Sequence, residues 1–83
     1  MTARKMFEAS GWNAVRTPKN QKAYSKRFLD NGVEYEADIF FLLKEKKVVA
    51  LFNNDKEHGS LEINMDCLKL INKQCQELGW SDG

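Results

Sequence analysis

At 83 residues, with 42% hydrophobic and 30% charged side chains, the chain has the size and make-up of one small globular domain, which excludes a multidomain enzyme and a wholly disordered segment. No apolar run approaches the roughly 20 residues of a membrane helix, and the start, Met1 to Glu8, has no apolar signal segment, so the sequence reads as a cytoplasmic protein with no membrane partner. The formal net charge is only +1, so any electrostatic role has to come from how the charges are distributed.

Thr2 is placed to cap a first helix whose inner side carries Ala3, Met6 and Phe7. Ser10-Gly11-Trp12 ends it: Gly11 takes the left-handed position after the last turn, and Trp12 is expected to fold back onto Phe7. Trp12 could instead stack on a ligand, but the hydrophobic cap is the favoured reading. Residues 13–16 suit a short strand, and Thr17-Pro18-Lys19-Asn20 suits a turn.

Three antiparallel strands are expected at 22–29, 33–44 and 47–53, joined by Asn31-Gly32 and Glu45-Lys46. Alternation puts Val33, Tyr35, Ala37, Ile39, Phe41 and Leu43 on one face. Two-residue loops set Phe28 opposite Tyr35, Tyr24 opposite Ile39, Phe41 opposite Ala50 and Ile39 opposite Phe52. That face is apolar apart from Lys26 and is the expected core. On the other face Arg27 falls beside Glu34 or Glu36.

This second face changes along its length, from Glu34, Glu36 and Asp38 to Phe40 and Leu42, which Val49 and Leu51 join. A singly covered antiparallel sheet should be polar there. The favoured explanation is a cover of the N-terminal helix or the 13–21 segment. The other is a protein interface made of Phe40, Leu42, Val49 and Leu51, taking a second copy or another protein.

Residues 53–60 form a polar connection, and 61–63 suit a short edge strand. Asn64 caps the last helix, Asp66 places negative charge in its first turn, and Ile63 and Leu68 are spaced to clamp its start. Leu68, Ile71, Cys75 and Leu78 are the expected buried stripe, and Gly79 with Trp80 the stop. Fraying is expected at 81–83. The fold class is therefore α+β: a helix, a three- or four-stranded antiparallel meander, and a C-terminal helix packed on the sheet.

No catalytic constellation, metal motif or cofactor-binding loop emerges. His58 is the single histidine and lies in the polar connection, and no Cys-x-x-Cys spacing occurs. Cys67 and Cys75, eight positions apart on one helix, stand about 12 Å apart, too far for a disulfide. Glu34, Glu36 and Asp38 could in principle hold a cation, but a solvated acidic stripe is the favoured reading. Charge is unevenly spread: seven basic residues stand against Glu8 alone up to Phe28, and six lysines against eleven acids after it. Arg16, Lys19, Lys22, Lys26 and Arg27 make a candidate nucleic-acid contact, although neutralising the acidic strand is the favoured role.

The two ends of the chain carry a resemblance. Met1-Thr2-Ala3, Met6-Phe7-Glu8 and Gly11-Trp12 at the start, with Ile71-Asn72-Lys73-Gln74 and Glu77-Leu78-Gly79-Trp80 at the end, resemble small proteins encoded by phages and prophages of Gram-positive bacteria. The basic 16–27 segment and the two cysteines depart from that pattern. The resemblance implies an accessory protein acting in the host cytoplasm and no particular activity. Together with the apolar patch it suggests a non-enzymatic protein-binding module with a host or phage protein, or a second copy, as partner. Nucleic-acid binding is the alternative.

Overall fold

The computed structural model describes residues 1–80, so the expected fraying at 81–83 falls outside the described residues. The order is α1 (Ala3–Ala9), β1 (Asn13–Val15), β2 (Gln21–Asp30), β3 (Val33–Leu42), β4 (Lys47–Asn53), β5 (His58–Ser60) and α2 (Met65–Glu77). The five strands form one antiparallel sheet in sequence order, with α2 packed on it. The fold is α+β, as expected, but the meander has five strands where three or four were expected, because short segments pair at both edges of the three long strands.

Both helices are bounded by the groups expected of them. The Thr2 hydroxyl accepts from the Lys5 amide at 3.2 Å, and the Asn64 side chain accepts from the Cys67 amide at 2.9 Å. Gly11 and Gly79 take φ of 92° and 76°, and behind them the Trp12 and Trp80 amides donate to Phe7 and Cys75 carbonyls, both at 2.9 Å. These are paired Schellman stops, and they turn each tryptophan back toward its own helix. Trp12 meets Phe7 edge-on at 6.0 Å, and Trp80 reaches Phe41 at 6.3 Å.

Asn31 and Gly32, at φ of 53° and 78°, make the tight hairpin. It sets Phe28 opposite Tyr35 and Tyr24 opposite Ile39, as expected. The next connection differs. It spans residues 43–46, with Lys46 at φ 56°, so Ile39 faces Ala50 and Phe41 faces Val48. The longer loop moves the register by two residues, and a shift of two leaves every side chain on its face. The last strand also differs: β5 is His58–Ser60, not 61–63, because Asn54 turns the chain earlier by accepting from the Lys56 and Glu57 amides, each at 2.8 Å.

The core lies on the inner face, where Phe7, Trp12, Tyr24, Ala37, Ile39, Phe41, Leu70 and Ile71 pack together. Phe7 stacks on Tyr24 at 3.9 Å and meets Phe41 edge-on. α2 presents Leu70, Ile71 and Gln74 as its buried residues, whereas Leu68, expected in the stripe, stays 38% exposed. The helix packs against α1 as well as on the sheet cluster, and its buried side extends to position 74. There the Tyr24 hydroxyl donates to Gln74 Oε1 at 2.5 Å, which satisfies two buried polar groups at once. Burial pushes the Tyr24 phenol up, so it remains a donor. The Ala3 amide, an orphan donor at the start of α1, donates to Glu77 Oε2 at 2.5 Å and ties the two helices together.

Candidate functional site

Cross-strand pairing fixes which residues share the outer face. Val15, Ala23, Phe40 and Val49 form one continuous row across four strands. Toward one end the next row is Gln21, Leu42 and Lys47; toward the other it is Asn13, Ser25, Asp38, Leu51 and Ser60. Phe40, Leu42, Val49 and Leu51 therefore do come together, and Val15 and Ala23 extend them. The expected cover is absent. α1 packs on the inner face through Phe7, and residues 13–15 join the sheet edge, so among the described residues no element lies over this row. The reason is Phe7, whose ring fits between Tyr24 and Phe41 and draws α1 to the side already occupied by α2. Val15 and Val49 keep 42% and 40% of their surface exposed.

The row lies between two oppositely charged ends. Connections 16–20 and 43–46, adjacent through the Leu43 amide on the Asn20 carbonyl, bring Arg16, Lys19, Lys44, Lys46 and Lys47 together, with Glu45 the single acid. The far end carries Asp30, Glu34, Glu36, Asp55 and Glu57 against Arg27 and Lys56. Arg27 reaches Glu34 at 3.2 Å, but both side chains are largely exposed and the pair is weak.

Asp38 is the buried acid of the outer face, only 9% exposed, and accepts from the Asn53 amide group at 3.2 Å. Burial, then the charge of Glu36, holds its carboxyl above the ordinary 3.8. A raised carboxyl pKa penalises the folded state once the group is ionised, so this penalty is absent below pH 3.8 and grows as pH rises through the folded value. Asp38→Asn is expected to raise the urea midpoint at pH 7, with the gain over the native chain shrinking as the solution is acidified.

The five basic candidates do not form one surface. Lys22 and Lys26 point to the inner side and Arg27 to the outer. Lys26 donates to the Ser10 carbonyl at 2.9 Å and lies 5.8 Å from the Trp12 ring, so it holds the end of α1. Tyr24 is core and Phe28 faces inward, as expected. Cys67 and Cys75 are free and half-buried, and burial pushes both thiols up, away from reactivity at neutral pH. His58 sits exposed on β5.

Two features escaped sequence reading. One is Gln74, legible only as a residue three and four positions on from Ile71 and Leu70. The other is a cleft of about 500 Å³ at the acidic end of the inner face, where Phe28, Tyr35 and Phe52 stand together. Phe52 lies against Gly59, where a Cβ would come within 2.9 Å of its ring. Gly59→Ala is expected to displace Phe52 and cost about 1–3 kcal/mol, read as a lower urea midpoint.

Comparison with family models, curated proteins and solved structures gives no match. The surfaces are therefore interpreted from their own chemistry. No helix of the described residues is long and apolar enough to cross a membrane.

Proposed function

We propose that this chain is a non-enzymatic protein-binding module, an accessory protein of phage or prophage type, and that the outer sheet face takes its partner. The observation that carries this reading is the row Val15, Ala23, Phe40 and Val49, which no helix of the described residues covers: Ala23 is buried between its neighbours and Phe40 half-buried, but Val15 and Val49 stay exposed, and that apolar surface forgoes hydrophobic stabilisation that a partner recovers.

The occupant best matched to the surface is a second copy. A twofold axis running along the row turns one sheet over the other with strands antiparallel. It then sets the basic end of each copy over the acidic end of its mate while the apolar rows meet. Two ten-residue strands give a face about 34 Å long, and five strands about 20 Å wide at most. Because β1 and β5 are short, about 500–600 Å² per copy is available, at the low edge of stable interfaces. Association is expected to be weak and salt-sensitive.

Sedimentation equilibrium from micromolar to millimolar protein tests it. The mass is expected to rise from 9.6 kDa toward that of two chains, less steeply in high salt. A single-chain mass throughout would overturn the pairing.

A further inference from the structure

The geometry points to a second binding site on the opposite face of the sheet: the acidic end of the inner face is a receptor for an organic cation, an alkylammonium or guanidinium group. The helices cover the rows of Ala37, Ile39 and Phe41, whereas the cleft lies at the Phe28–Tyr35 pair and reaches Phe52. Phe28 and Tyr35 stack at 5.4 Å with their planes 18° apart, and Phe52 meets Tyr35 at 5.5 Å and 82°. Two aromatic walls thus stand at right angles beside a cleft of about 500 Å³, and all three rings are only half-buried.

The rim is acidic. Asp30, Glu57 and Glu62 line the cleft, all exposed, and no lysine or arginine lines it. Ring faces carry negative quadrupole density and attract a diffuse cation, and the carboxylates add longer-range attraction of the same sign. The two together select the ligand. A hydrocarbon would strip water from three carboxylates with nothing in return. A metal ion needs closely converging ligands, and among the described residues no group of three His, Cys, Asp or Glu side chains could hold one. An organic cation is large enough to touch the rings and carries the charge the rim favours.

The site is also braced. The Tyr35 hydroxyl donates to Glu57 Oε1, holding wall and rim together, and Gly59 leaves Phe52 room to lie flat against β5. The cleft faces away from the Phe40 row, so this inference does not depend on the pairing proposed above.

The test is a two-dimensional amide NMR titration of the full chain with tetramethylammonium chloride, against sodium chloride at equal ionic strength and the neutral isostere tert-butanol. Saturable shifts at Tyr35, Phe52 and Gly59 are expected with tetramethylammonium alone. Phe52→Leu, which keeps apolar bulk without a π face, should weaken binding about threefold to thirtyfold. Glu57→Gln with Glu62→Gln should weaken it as well, each variant first checked for native amide dispersion. Parallel titrations with blocked lysine and blocked arginine separate a free ammonium ligand from a basic side chain on a peptide, the tighter arm naming the source. No saturation by any of the cations, or an equal response to tert-butanol, would overturn the assignment. So would unchanged affinity in a natively folded Phe52→Leu.

Discussion

Phe41→Ala is expected to remove about 3–5 kcal/mol of stability, while Phe40→Ala, one residue away and only half-buried, should cost about 1–2 kcal/mol. Phe41 is fully buried. Its ring meets Phe7, Tyr24 and Trp80 at 6.3, 6.2 and 6.3 Å, so truncation opens a cavity bordered by α1, β2 and the end of α2. Two of those neighbours are not free to collapse into it: Tyr24 is anchored by Gln74, and Phe7 by its stack on Tyr24. A domain of this size holds about 4–12 kcal/mol in all, so the variant should lose a large share of its stability. Phe40 points the other way, is half-buried and loses less when truncated. Urea titration of the two variants side by side measures the contrast, with slopes close to that of the native chain. Equal losses would mean that the outer row is packed core and that the face is not free.

Phe40→Glu should leave the fold intact and abolish pairing through the outer face. The side chain lies at the middle of the row, flanked by Ala23 and Val49, so a twofold contact places two new carboxylates near each other and away from water. An unpaired buried charge costs about 3–5 kcal/mol, which is a loss of a hundredfold or more in association. In the single chain the same carboxylate reaches solvent, because no helix lies over it, and the folding cost stays near that of Phe40→Ala, about 1–2 kcal/mol. Sedimentation together with a melting curve separates the effects. A stable monomer supports the surface as an interface. Unfolding of the variant would place Phe40 in the core, and undiminished association would move the contact elsewhere.

The local punctuation was fully legible. Thr2, Gly11, Asn64 and Gly79 act within a few residues of themselves, and a cap or left-handed stop needs no distant partner. The Asn31-Gly32 hairpin followed for the same reason, and with it the inward set Tyr35, Ala37, Ile39 and Phe41. The Phe40, Leu42, Val49 and Leu51 cluster was readable because strand alternation has a period of two, and it survived a mistaken loop length since the error itself was two residues. The basic segment was the counterpart: close spacing in sequence suggested one surface, and the same alternation divided it between both faces.

What the residues by themselves determined was the sequence of elements and the two faces of the meander, because capping, turn formation and alternation are short-range effects. Only the tertiary structure decided that both helices share one face, that Gln74 rather than Leu68 turns inward, and that the outer row is left open. Those outcomes depend on how Phe7, Tyr24 and Phe41 fit one another across elements far apart in the chain, and side-chain volume filling a shared space has no signature in local spacing.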